Sequence, residues 1–186
     1  PIDYQEYFSP EQAYHDLIIL EKFLSTGRNQ VDLYSSENNK KHHLKIYTSE
    51  KGGLRLSGIL NIIKNTGMNI VLHYSYLIAI GGGVRMHYFL LSGVKNTFSE
   101  QGVQEQFEEM LAKVFIKEIK NDYFNSLVLI AGLSCKEIFL IRALSSYMKQ
   151  IGFKYNQSFI EKTVSFLPIV GWKSRYLRRN EWAFSR

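Results

Sequence analysis

Apolar positions recur along this chain in two rhythms, one of period near 3.6 and one of period 2, and the switches between them mark the elements. Ser9-Pro10-Glu11-Gln12 supplies an N-cap, a proline suited to the first helical position, an acid at the positive end of the helix dipole and a capping-box glutamine. A helix over about 10–25 follows, burying Ala13, Leu17, Leu20 and Leu24 with Ile18 and Phe23 beside them, and Gly27 ends it. Residues 26–30 read as a connector, 31–34 as a short strand and 35–41 as a polar loop. Leu44, Ile46 and Thr48 then alternate with Lys45 and Tyr47, a strand with one face inward, and Gly52-Gly53 turns the chain. Ser57 is placed to cap a helix over 58–65 that buries Ile59, Leu60 and Ile63 and stops at Gly67. A hairpin comes next. Ile70, Leu72, Tyr74, Tyr76, Ile78 and Ile80 share a face, Gly81-Gly82-Gly83 turns, and Val84, Met86, Tyr88 and Leu90 return. Ser99 offers the N-cap of a helix to about 120, with Val103, Phe107, Met110, Leu111, Val114 and Ile119 on its packed side.

The strongest agreement of local signals lies in 121–152. Phe124, Leu127, Val128 and Ala131 make a stripe that ends at Gly132, although 127–131 alone fits a short helix or a buried strand equally. Ser134 and Glu137 form a capping box. From there Ile138, Ile141, Leu144, Ser145 and Met148 recur at helical spacing with Leu133, Tyr147 and Ile151. Lys136, Arg142 and Lys149 are expected on the opposite side, and Gly152 sits where a left-handed cap is wanted. Strand, helix, two strands and a helix are the front of the ferredoxin-like βαββαβ sandwich, an antiparallel sheet with helices on one face. Its last strand is either missing or hidden in 31–34 or 127–131. The fold class is α+β, with an α-helical C-terminal part.

The string N-D-Y-F-N-S-L-V-L-I-A-G-L-S-C-K-E-I-F-L-I-R-A from Asn121, with Tyr147, Gln150, Gly152, Phe153 and Gln157–Glu161 after it, resembles a segment of the large bacterial NAD-specific glutamate dehydrogenases that lies just ahead of their catalytic domain. The earlier L-R-L-S-G-I-L-N-I-I-K-N-T-G-M-N-I-V from Leu54 is similar to a second block of that family, in its ACT-like region. Together they span about 44–164. The chain departs from the pattern at Gly58, Asn61 and Cys135, where the family tends to have an acid, a proline and a tryptophan. The chain then divides into an N-terminal helix over 1–30, an ACT-like domain over 31–120, a helical segment over 121–167 and a basic tail over 168–186, of which the resemblance implies the middle two. The whole enzyme would oxidatively deaminate L-glutamate to 2-oxoglutarate and ammonia with NAD as acceptor. This chain would contribute regulation or assembly, with no catalytic, cofactor-binding or metal-binding residue of its own. Its expected partners are the remainder of the dehydrogenase polypeptide or a second copy, and an amino-acid effector. ACT domains bind such effectors near the first strand-to-helix turn, which is Gly52-Gly53 here; a plain tight turn is the simpler reading. The other class of function is a stand-alone ligand-binding or protein-interaction module from a truncated gene.

Composition narrows this little further. With 45% hydrophobic and 22% charged residues the chain is an ordinary globular one, and the single Cys135 excludes an internal disulfide and suits a reducing cytoplasm. The net charge of +6 and pI near 9.3 invite a nucleic-acid reading. Five basic residues against Glu181 give residues 171–186 a charge of +4, however, leaving +2 for the rest. The basicity belongs to the tail. There the resemblance fades, and a truncated reading frame or an expression boundary is the first reading. Stacking of Trp172, Tyr176 and Trp182 on RNA or anionic lipid is the other, and nucleic acid and membrane are not the expected partners.

Candidate chemistry is sparse. Gly81-Gly82-Gly83 is contiguous and lies between strands, so it reads as a hairpin turn, unlike the spaced glycines of a dinucleotide cradle. His15, His42, His43, His73 and His87 show no zinc-ligand spacing, although His73 and His87 can face each other across the hairpin and share a proton-sensitive contact. Cys135 at a helix start reads as a capped position, with a lowered thiol pKa as the alternative. Glu108, Glu109 and Glu118, interleaved with Lys113, Lys117 and Lys120, read as a solvated ion-pairing face.

Overall fold

A computed structural model describes residues 2–35, 41–93 and 102–166. In chain order its elements are α1 (Ile2–Tyr7), α2 (Pro10–Thr26), β1 (Gln30–Ser35), β2 (His42–Ser49), α3 (Leu56–Asn65), β3 (Asn69–Ile78), β4 (Val84–Ser92), α4 (Val103–Phe115), a 3-10 turn (Tyr123–Ser126), α5 (Leu127–Ala131), α6 (Cys135–Gln150) and α7 (Gln157–Phe166). The four strands form one antiparallel sheet in the order β1-β2-β4-β3. The α+β class and the ACT-like arrangement expected from the sequence are therefore present. The stretch 31–34 takes its place as edge strand β1. Among the described residues 127–131 is helix, which settles the ambiguity left by its period.

The ACT-like helices lie on one face of the sheet. Leu33, Leu44, Ile46, Phe89 and Leu91 pack there against Ile59 and Ile63 of α3, Phe107, Met110 and Leu111 of α4, and Phe124, Leu127 and Val128 beyond. The other face is covered as well, by the N-terminal helices. Phe8, Leu20 and Phe23 close over Tyr47, Tyr76, Val84, Met86 and Tyr88. Strand β2 is consequently buried on both sides, and Lys45 and Tyr47, expected to face outward, are at 1% and 0% exposure. The alternating hairpin stripe of Leu72, Tyr74, Tyr76 and Ile78 points to this N-terminal layer.

Boundaries shift at β3, α3 and α4. In β3, Ile70 pairs with Leu91 while Leu72 pairs with Leu90, so Val71 is an extra residue in the ladder. The bulge puts Ile70 on the face of Leu91 rather than with Leu72, and Ile80 lies beyond the strand. Helix α3 starts one residue before Ser57, with Arg55 at its N-cap and no side-chain cap. Helix α4 has Gly102 at its N-cap and gives way after Phe115, where Lys117 takes a left-handed φ of 61°. The proposed cap Ser99 lies outside the described residues. The capping boxes at Ser9/Gln12 and Ser134/Glu137 both form, and Gly27 and Gly132 adopt the left-handed caps that end α2 and α5.

Candidate functional site

The β2–α3 turn opens into a cleft of about 610 Å³ lined by Ser49, Glu50, Gly52, Gly53, Arg55, Ser75, Arg85 and His87 among others. Its geometry begins with two glycines. Gly52 takes φ +78°, a region L side chains avoid. Gly53 is packed so closely that a Cβ would collide with the Ser49 carbonyl and the Thr48 hydroxyl. The Thr48 hydroxyl accepts a hydrogen bond from the Leu54 amide at 3.0 Å, which fixes the exit of the turn. Beyond it α3 begins without a side chain on its leading amides, so the positive end of its dipole is left uncapped at the cleft wall.

The floor comes from the hairpin. Arg85 on β4 donates from Nε and Nη2 to the two oxygens of Glu50, both at 2.6 Å, and from Nη1 to the Ser75 hydroxyl at 3.3 Å. This bidentate pair holds the Glu50 carboxyl below the usual range and raises the guanidinium. His87, two residues along β4, is 2% exposed. Its Nδ1 lies 3.1 Å from Nε2 of His73, while its Nε2 is buried without a hydrogen-bond partner. Burial pushes the His87 pKa down to about 4, with the positive partner charges of His73 and Arg85 acting the same way and Glu50 opposing them. His73 is also lowered by burial. The site thus combines an uncapped helix start, a fixed guanidinium–carboxylate pair and a neutral imidazole with an unused ring nitrogen.

The structure brings Gly52, Gly53 and the His73–His87 contact around one cleft, although the sequence offered them as separate features. The other candidates fall elsewhere. Gly81, Gly82 and Gly83 all take positive φ between β3 and β4, and a Cβ on Gly81 would meet Leu24 of α2. No helix starts at that turn, so the residues here do not fit a dinucleotide. Cys135 is buried and its thiol is raised, chiefly by desolvation, which is the opposite of activation. Glu109 pairs with Lys113 as a solvated face requires, but Glu108 is half-buried, accepts from Gln104 at 3.2 Å and is raised by burial. No group of three or more potential metal ligands occurs among the described residues, nor is any helix there long and apolar enough to cross a membrane.

Sequence reasoning missed two buried ion pairs. Lys45 donates to both oxygens of Asp16 at 2.6 and 2.8 Å, Tyr47 donates to the same carboxylate at 2.8 Å and Tyr4 at 2.5 Å, and the ammonium lies 4.3 Å from the Phe8 ring centre. Arg142, expected on the solvent side of α6, turns inward to Asp122 and Asn125, with Nε 2.9 Å from Asp122. The available signal was a charge at a position whose sequence neighbours are apolar, Lys45 between Leu44 and Ile46 and Asp16 beside Leu17.

Comparison with known proteins gives these features a setting. Residues 28–103 match the family model for the glutamate dehydrogenase ACT3 domain, and residues 119–170 that for glutamate dehydrogenase helical motif 3. The NAD-specific glutamate dehydrogenase of Halomonas elongata is 29% identical over 175 residues, 90% of this chain and 11% of the relative. That of Pseudomonas aeruginosa is 25% identical over 170 residues, 89% of this chain and 10% of the relative. That of Mycobacterium tuberculosis is 36% identical over 63 residues, 34% of this chain. The chain spans about a tenth of the length of the first two relatives. With both family blocks matched in sequence and an ACT-like sheet followed by helices in three dimensions, the chain belongs to the glutamate dehydrogenase family as its ACT3 domain and helical motif 3.

Proposed function

We propose that this chain is a non-catalytic regulatory and assembly module of an NAD-specific glutamate dehydrogenase, and that the cleft at Gly52-Gly53 receives a small amino-acid effector. The whole enzyme would oxidise L-glutamate to 2-oxoglutarate and ammonia with NAD, and the nucleotide and hydride chemistry would belong to polypeptide outside this sequence. One observation carries the effector reading. At the β2–α3 turn, a glycine with no room for a side chain stands beside an uncapped helix start and a buried imidazole nitrogen without a partner. An α-carboxylate is suited to the helix amides, and a ligand acceptor or donor to His87 Nε2, since neutral imidazole offers either role according to its tautomer.

The test is thermal unfolding of the purified chain against a panel of amino acids and NAD. A selective ligand raises the melting temperature by mass action. At a concentration about 100 times the Kd, the stabilisation is about 2.7 kcal/mol. One amino acid or a narrow set is expected to act, and NAD to have no effect. In Gly53→Ala the response should vanish, with a loss of about 1–3 kcal/mol of stability as the added Cβ clashes with the Ser49 carbonyl. A panel without any shift removes the effector reading, and turnover of glutamate by the isolated chain removes the non-catalytic one.

A further inference from the structure

Helix α6 carries a polar stripe with no acid beside it. Arg142, Ser146, Lys149 and Gln150 follow one another at spacings of four, three and one, which keeps them on one side of the helix. After Glu137, which is engaged in the capping box, the helix has no carboxylate. Helix α4 differs, since Lys113 there pairs with Glu109 one turn away. Across from the stripe lie Lys120 and Asp122, ahead of the 3-10 turn, and Gln157 at the start of α7. The three segments border an open cavity of about 460 Å³. That volume is within the range of small-molecule sites.

The cavity wall is fixed by hydrogen bonds. Arg142 donates from Nε and Nη2 to Asp122, and from Nη2 also to Asn125 Oδ1 at 2.5 Å and to the Lys120 carbonyl at 3.3 Å. Asn125 Nδ2 donates to the same carbonyl at 3.3 Å, so the backbone that bears the Lys120 side chain is held twice. Gln157 is held by Ser145 at 3.1 Å. Asp122 is 7% exposed, and both its oxygens are taken up by the one guanidinium. Nη1 of Arg142 makes no hydrogen bond among the described residues, and neither does the ammonium of Lys120 or of Lys149. Three cations against one carboxylate leave the lining with a surplus of two positive charges, and among the described residues no further acid and no aromatic ring contributes to it.

Like charges gathered around a concave surface focus their field and draw in an anion. A phosphate monoester carries about −1.5 to −2 charges at neutral pH and presents three acceptor oxygens, which matches the surplus here. The two lysines supply point charges, the free edge of the guanidinium a directed donor, and Ser146 and Gln150 neutral donors. A single carboxylate would leave part of the charge uncompensated, and a nucleobase would find no ring on which to stack. We propose that this cavity binds a phosphate dianion, free or carried as the monoester of a small polar molecule. Its residues all lie within the span that matches helical motif 3, apart from Gly52-Gly53, and the proposal does not rest on the effector reading.

Isothermal titration calorimetry of the 186-residue chain with inorganic phosphate, α-glycerophosphate and succinate, at an ionic strength held constant with chloride, tests the proposal. Saturable one-to-one binding of a phosphate compound is expected. Lys120→Gln and Lys149→Gln should each weaken it about tenfold, as a dianion loses one charge contact at a partly solvated rim, and the double variant should abolish it. Both lysines are exposed, so the far-ultraviolet circular dichroism should be unchanged. Lys136→Gln, the same loss of charge at the opposite end of α6 and outside the cavity, should leave binding as it was. Tighter binding of α-glycerophosphate assigns the site to a phosphorylated metabolite, and equal or tighter binding of inorganic phosphate assigns it to the free anion; either upholds the proposal. No saturable binding of either compound, binding that survives in the double variant or falls as much in Lys136→Gln, or succinate held as tightly as the phosphates would overturn it.

Discussion

Asp16 shows what a single carboxylate does when it is surrounded by donors and cut off from water. Lys45, Tyr47 and Tyr4 all converge on it, at 4% exposure for Asp16 and 1% for Lys45. The desolvation cost of both ions is incurred on folding, so the pair specifies the seating of α2 on the sheet more than it adds net stability. Removing one member leaves the other buried and uncompensated. Asp16→Leu or Lys45→Met should each cost about 3–5 kcal/mol in urea denaturation, and the double variant Asp16→Leu with Lys45→Met should cost less than the two single changes summed. His87 acts in the opposite sense, as a neutral group. It titrates near 4 when folded and near 6.5 when unfolded, so between those values the unfolded chain binds more protons. Stability should fall as pH drops from about 6.5 to 4 and be flat with respect to this group outside that window. His87→Gln should remove on the order of 1–2 kcal/mol of that fall, allowing for solvent at the open cleft, as read from urea midpoints across the pH series. The sequence displayed His73 and His87 fourteen residues apart across a hairpin, and their contact was legible. The lone buried nitrogen was not, because it depends on what α3 and the turn lay over β4.

Helix caps separate signals that are sufficient from those that are only suggestive. Ser9 and Ser134 were readable because each has a glutamine or glutamate three residues on, and both reciprocal pairs form. Ser57 lacks such a partner, and the helix starts ahead of it. Ser134→Ala should therefore destabilise the chain by about 0.5–2 kcal/mol and Ser57→Ala by less than about 0.5 kcal/mol, a contrast measurable in one denaturation series. The strand faces were legible wherever alternation was strict, as in Tyr74, Tyr76 and Ile78. They failed at β2 because burial on both sides erases the inside-outside contrast on which period-2 reading rests. In α6 two apolar sides were read as one broad stripe, and Arg142, which lies on the inner side near Ile138 and Ser145, was assigned to solvent. A short apolar run such as 127–131 carries no period of its own, and its helical state comes from the 3-10 turn before it and left-handed Gly132 after it.

At the scale of the molecule, the sheet has a helical layer on each side, and the ACT3 match takes in only one of them. The matched ACT3 span begins at residue 28, whereas α1 and α2 end before it and supply Phe8, Leu20 and Phe23 to the second core. The ACT3 match alone therefore marks out a unit whose aromatic face, Tyr47, Tyr76, Met86 and Tyr88, would be bare. A chain lacking residues 1–27 should lose cooperative unfolding or aggregate at concentrations where the full chain does not, as followed by light scattering and thermal denaturation. The ACT-like core was legible from its order of strands and helices because each turn carried glycine or serine at the right place. The N-terminal layer was not, since nothing in a well-capped amphipathic helix states which sheet face it will cover.

The extra residue at Val71 has a bearing on how much length variation β3 can absorb. Excising Val71 alone would restore an even ladder between Ile70, Leu72 and β4 at the cost of a local bend. Excising any residue between Leu72 and Ile78 would instead invert every side chain on one side of the gap, sending tyrosines outward and serine or histidine into the aromatic layer. Among single-codon losses in this strand, Val71 is the one position where the chain carries slack.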